Sequence, residues 1–112
     1  MGKHSIGEFE EVVMLTVAIL YNNAYGISIK ESIESRLNRN VSVGAMRTAL
    51  SRLEKKGFLD SEFGEATAIR GGKRKRFFKV TPYGKKAIEQ VMQDRKKLWE
   101  AISPLAFDFK FQ

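Results

Sequence analysis

Five side chains in one short stretch carry the groups most suited to recognition chemistry: Ser42, Arg47, Thr48, Ser51 and Arg52, within SVGAMRTALSRLEKKGF (Ser42–Phe58). Hydroxyls donate and accept, and a guanidinium is a rigid fork of donors. That fork matches two adjacent acceptors, such as a phosphate or the edge of a guanine. A second cluster follows in Arg70, Lys73, Arg74, Lys75, Arg76 and Lys79. Cations at that density suit a polyanion backbone.

Other chemistries have little to work with. The chain has no cysteine, which excludes disulfides, thiol catalysis and cysteine-ligated zinc. Its one histidine, His4, stands alone in a polar N-terminal segment. A metal site needs several converging ligands, so no metal and no cofactor are expected. No carboxylate cluster is paired with a base, and an enzyme is not expected. Val12–Leu20 is apolar but too short to span a bilayer. Glu8, Glu10 and Glu11 break any signal-peptide pattern, so a cytoplasmic location is expected.

The net charge of the 112 residues is +7. Between Val41 and Thr81 stand ten Lys and Arg against four Asp and Glu, so almost all of the excess lies in that segment. A patch of this kind favours a polyanion partner.

The elements that must hold these groups follow from hydrophobic period. Val43, Met46, Ala49, Leu50 and Leu53 form one helical stripe, which turns Arg47, Thr48, Ser51 and Arg52 outward. Ser42 caps this helix and Gly57 stops it. Before it, Ile6–Asn22 reads as a helix apolar on more than one face, ending in a turn with Gly26 as the break. Ser28–Asn38 reads as a second helix with Ser28 and Glu31 as a capping box and Ile29, Ile33 and Leu37 as its stripe. Two short helices joined by a tight polar turn, the later one basic outside, form a helix-turn-helix.

After Gly57 the period changes. Phe58–Phe63 and Arg76–Val80 read as strands, with Gly71-Gly72 as the turn signal between them. At least one of Phe77 and Phe78 belongs to the core. Thr81 and Pro82 open a last helix of about 20 residues as N-cap and first position. Its stripe runs through Ile88, Val91, Met92, Leu98, Trp99 and Ile102, with Arg95 as a polar interruption of a heptad-like spacing. Pro104 ends it, and the tail alternates Phe107, Phe109 and Phe111 with polar residues. Left free such a tail is an aggregation risk, so it is expected to dock on the body or on a partner. The expected fold is mainly α with a small β-hairpin (α+β). Residues 1–81 form a winged helix-turn-helix, and residues 82–112 a C-terminal dimerisation helix and aromatic tail, within one compact whole.

Five segments in register resemble the PadR-like family of bacterial transcriptional regulators. They are Ile6-Gly7-Glu8-Phe9-Glu10-Glu11, Ala24-Tyr25-Gly26-Ile27, Val43-Gly44-Ala45-Met46, the Leu50–Gly57 run with Arg52, Leu53 and Glu54, and Arg70–Pro82 with Gly84. The resemblance covers about Ile6 to Ala87. It implies a DNA-binding winged helix acting as a homodimer, commonly as a repressor, with the last helix and the first forming the dimer contact. One position departs: where relatives usually carry a tyrosine after Gly-Ala-aliphatic, this chain has Arg47.

On that footing, double-stranded DNA is the expected partner. Ser42, Arg47, Thr48, Ser51 and Arg52 face it from the recognition helix, and Lys73, Arg74 and Lys75 from the wing. Arg47 is placed to read a guanine or to hold a phosphate. Val91, Met92, Leu98, Trp99 and Ile102, with Val13 or Val17, are the expected dimer contacts. The operator is then an approximate palindrome near the chain's own or adjacent genes. Trp99 is either an interface anchor or a platform for a planar small-molecule effector. A winged-helix module that binds protein is the competing class, though it would not need six basic residues in Arg70–Lys79.

Overall fold

A computed structural model of the protein describes residues 5–64 and 74–111. The order is α1 (Glu8–Leu20), a 3₁₀ turn (Tyr21–Asn23), α2 (Gly26–Leu37), α3 (Val43–Lys55), β1 (Leu59–Phe63), β2 (Arg76–Val80) and α4 (Pro82–Glu100). Two further 3₁₀ turns, Pro104–Phe107 and Phe109–Phe111, follow. The expected Gly71-Gly72 turn and Lys73 lie outside the described residues, as does His4.

Local chemistry sets the helix ends. The Gly7 amide donates to Glu10 Oε1 at 2.9 Å and starts α1. That helix stops at Tyr21, which takes a positive φ of 52°. Gly26, the expected break, is instead the first residue of α2. Ser28 therefore falls inside the first turn of α2, where its Oγ accepts from the Tyr25 amide at 2.9 Å. Asn38 closes α2 in the left-handed region, which its short polar side chain tolerates. The Ser42 hydroxyl accepts from the Ala45 amide at 3.1 Å and caps α3. Gly57, at φ +82°, turns the chain out of α3 into β1.

The core gathers one face of each helix around the hairpin base. Val13, Met14 and Val17 of α1 meet Ile29 and Ile33 of α2, and Met46, Ala49, Leu50 and Leu53 of α3. Phe58, Leu59 and Phe78 close it from the hairpin side. Strands β1 and β2 pair antiparallel from Leu59↔Val80 to Phe63↔Arg76. The Phe78 amide also donates to the Ala24 carbonyl at 2.8 Å, which stitches the hairpin to the α1–α2 turn. Phe78 is buried, while Phe77 is half-buried edge-on against Tyr25, 5.5 Å between ring centroids.

Two apolar residues do not sit where the resemblance puts them, and two where their spacing does. Val13 and Val17 are wholly inside the protomer's own core, so no partner chain can reach them. The exposed apolar side chains of α1 are Leu15 and Ile19, on the other face. Val43 and Leu37, read as core stripe, are about half exposed. Each stands in a terminal turn of its helix, where no neighbouring element covers the stripe.

Helix α4 starts tightly and ends in the open. The Thr81 hydroxyl accepts from the Gly84 amide at 2.9 Å and donates to the Gly57 carbonyl at 2.6 Å. Gly84 presses on the corner after α3: a Cβ there would lie 2.2 Å from the Phe58 carbonyl oxygen. Ala87 and Ile88 pack on the core, and Val91 and Met92 are half-buried. Beyond Arg95 the stripe loses its cover: Leu98 is 72% exposed and Trp99 70%. Among the described side chains of the tail, Leu105, Phe107 and Phe109 stay exposed and are not buried on the protomer body. Phe107 instead lies against Trp99, 6.4 Å between ring centroids, and Phe109 is exposed. The molecule measures 65 × 34 × 22 Å with a radius of gyration of 17.6 Å, against about 13 Å for a compact chain of this length.

Gly84→Ala should lower stability by about 3 kcal/mol, the upper end of overpacking costs, because the clash is with backbone. Denaturant unfolding at fixed protein concentration measures it.

Candidate nucleic-acid interface

Helix α3 presents one clean outward stripe. Gly44, Thr48, Ser51 and Lys55 follow at i, i+4, i+7 and i+11 and are all exposed, opposite the buried Met46, Ala49, Leu50 and Leu53. Gly44 has no side chain, and a Cβ there would meet open space. A surface can thus come close to the first turn of α3. Spacing alone did not single out Gly44; its place on the wheel between Thr48 and Ser51 is the signal that could have.

Arg47 and Arg52 flank this stripe on opposite sides. Arg47 borders a groove shared with Tyr25 and Ile27 of the α2 entry and Lys75 and Arg76 of the wing. It is exposed and, among the described residues, has no hydrogen-bond or ion-pair partner. Arg52 borders a groove with Glu8, Phe9 and Glu10 of α1. Glu54, two residues after Arg52, turns to the wing. It accepts from Ser61 at 2.6 Å and pairs with Arg76 at 3.3 Å. Ser42 is exposed at the start of α3, with its oxygen already engaged in capping.

The basic limb of the hairpin is ordered by rings and carbonyls. Arg74 donates to the Gly64 carbonyl at 2.9 Å and lies over Phe63, 5.6 Å from the centroid. Lys75 sits 4.2 Å over the Tyr25 ring, a cation–π contact that holds its ammonium beside the Arg47 groove. Arg76 is committed to Glu54 and Ser61 and serves the fold. So Arg47 and Lys75 line one groove between α3, the α2 entry and the wing, while Thr48 and Arg52 line another on the α1 flank.

Two acidic residues of α1 hold this assembly. Glu10 Oε1 pairs with Lys56 at 3.0 Å, just past the end of α3, and Lys56 also donates to the Ser5 carbonyl at 2.8 Å. Glu11 pairs with Arg95 of α4, and that contact raises the Arg95 pKa. Burial alone would push the Glu10 carboxyl upward. The Gly7 amide and the Lys56 ammonium together outweigh it and hold Glu10 below the usual glutamate value.

A helix-turn-helix whose second helix leads into a hairpin, followed by a trailing helix, defines a winged-helix protein. The family model "Transcriptional regulator PadR-like family" matches residues 14–90. The chain belongs to that family, whose fold implies DNA-binding regulation. Among solved structures it resembles a PadR-like transcription factor from Bacteroides fragilis at 25% identity and TM-score 0.69, covering 82% of this chain and 84% of that one. A PadR family regulator from Clostridium difficile aligns at 23% identity and TM-score 0.62, over 82% and 92% of the two chains. A PadR-like regulator from Bacillus cereus aligns at 16% and 0.71, over 89% and 92%. A search of curated proteins finds no match. Among the described residues no helix is long and apolar enough to cross a membrane.

Because the Glu10 pKa is lowered in the folded chain, the unfolded chain binds the proton more readily. The Glu10 contribution is therefore complete above the ordinary value near 4.5 and is lost as pH falls through the lower folded value. Glu10→Gln should flatten the acid limb of the stability–pH curve below about pH 4.5 and lower stability at neutral pH, read by urea midpoints across pH 3–7.

Proposed function

We propose that this protein is a homodimeric, sequence-specific repressor that acts in the bacterial cytoplasm on its own or adjacent genes. The observation that carries the reading is Arg47: an unpaired guanidinium on the outward side of α3, where the wing and the α2 entry bring two further edges alongside. Arg47 is exposed and unpaired among the described residues, so its donors are open to a ligand, and it stands where relatives usually carry tyrosine. Arg47 forms the bidentate contact with a guanine edge. Thr48 and Ser51 complete the base-facing row, and Ser42 orders the helix entry. Lys73, Arg74 and Lys75 contact phosphates beside the groove, and Arg52 does so from the α1 flank.

The second copy covers α4. Leu98, Trp99, Ile102, Leu105, Phe107 and Phe109 are all exposed in the protomer, a larger apolar run than a soluble monomer ordinarily shows to water. Val91 and Met92, half-buried, continue the same stripe toward the core. Trp99 acts as an anchor of that interface, since Phe107 already lies against its ring. Leu15 and Ile19, exposed on α1, take the role that the family resemblance suggested for Val13 or Val17. Two recognition helices related by a two-fold axis read half-sites about 10 base pairs apart.

Fluorescence anisotropy against a fragment from next to its own gene tests the DNA reading. The chain should prefer that fragment over random duplex at near-physiological salt. Arg47→Ala should cost about 1–3 kcal/mol on the specific duplex and little on random duplex. Equal loss on both would leave Arg47 a phosphate contact. Sedimentation should show a dimer at micromolar concentration, and Trp99→Ser should shift it toward monomer.

A further inference from the structure

Beside Arg47 the interface has one feature that its hydrogen-bonding groups leave unexplained. Ile27, in the first turn of α2, is 62% exposed, and Val43, first residue of α3, is 53% exposed. The two rim a small apolar dimple of about 140 Å³. The buried side chains of Met46 and Leu50 line its base, and Lys30 and Arg47 stand at its edge. Lys30 is drawn toward Glu34 at 3.1 Å, while Arg47 is free of partners among the described residues. So an apolar hollow opens at the entrance of α3, on the same surface as the guanidinium and continuous with the Arg47–Lys75 groove.

We infer that this dimple receives the 5-methyl group of a thymine next to the base that Arg47 reads. The inference rests on the reading of α3 as a recognition helix. The surrounding cations favour a polyanion, and the dimple asks for an apolar group. The major-groove edges of unmodified DNA offer one such group, the thymine methyl. Residues in the first turns of a recognition helix are the ones that reach base edges, and Val43 opens α3. Ile27 and Val43 thereby set sequence choice without a hydrogen bond. Their exposure, unhelpful to the free protomer, becomes burial on the operator.

The test uses the full chain and the duplex it selects from a random-sequence pool. Each thymine of the selected half-site is replaced in turn by uracil, which removes only the methyl. At one position the wild type should lose about fourfold in affinity, the worth of one buried methyl group. Val43→Ala and Ile27→Ala should bind the thymine duplex more weakly and show little further loss with uracil. Far-UV circular dichroism should show both variants folded, since more than half of each residue's surface is exposed. A selected duplex that the wild type binds equally well with uracil at every position overturns the thymine site and leaves the DNA reading intact. Retention of the full uracil penalty in both alanine variants also overturns it. If the pool yields no duplex bound better than random, the regulator reading fails with it.

Discussion

Two neighbouring carboxylates on α1 hold the functional elements in place. Glu10 and Glu11 are adjacent in sequence, and both side chains are about nine-tenths buried. Glu10 takes Lys56, just past the end of α3, and Glu11 takes Arg95, in the last third of α4. A buried carboxylate is costly unless a cation and hydrogen bonds compensate it. Each of these has both a cation and a fixed place on a helix packed into the core. The orientation of α3 and the departure of α4 are therefore referred to one rigid rod. Removing either cation would leave a carboxylate stranded at the core edge, which makes these contacts specific as well as attractive.

Around that rod the remaining parts divide their labour. Apolar faces of α1, α2 and α3 supply the burial. The Ala24–Phe78 backbone bond sets the hairpin against the α1–α2 turn, and Gly84 lets α4 begin against the Phe58 carbonyl. Arg76, Glu54 and Ser61 brace the wing on α3. The cation of the wing brace is engaged although it stays at the surface: Arg76 is tied to Glu54 and Ser61. What remains outward on α3 is the Gly44–Thr48–Ser51–Lys55 stripe with Arg47 at its edge. The proposed binding surface is thus what is left after structural pairing: Lys56 and Arg76 are engaged in ion pairs, while Arg47 has no such partner among the described residues.

The trailing part of the molecule obeys a different logic. Helix α4 is half a core helix and half an uncovered one, and the change falls at Arg95, where the Glu11 contact is made. The same arginine that interrupts the heptad-like spacing is the last tie between α4 and the body. Past it, Trp99 and Phe107 find each other and little else. A radius of gyration well above that of a compact chain is the global expression of this uncovered end.

The winged-helix order was legible in the sequence because it rests on local chemistry: 3.6-residue periodicity, the Ser42 and Thr81 caps, Gly57 at positive φ, and Pro82 at a first helical position. The same periodicity located α3 and turned Arg47, Thr48 and Ser51 outward on it. It erred where periodicity needs a neighbour to complete its meaning. Val13 and Val17 lie on an apolar stripe that could face a partner or the protomer's own core, and only packing made it the core. Val43 and Leu37 keep the right spacing but stand in end turns that nothing covers. Glu10 and Glu11 read only as charges that break a signal-peptide pattern, and Arg95 as a polar interruption of a stripe. Their pairings span 46 and 84 residues of chain, a relation that no local pattern encodes. The sequence by itself determined which elements form and which groups they carry. The tertiary structure decided which cations are spent on the fold and which remain for a ligand, because that choice depends on distances across the core.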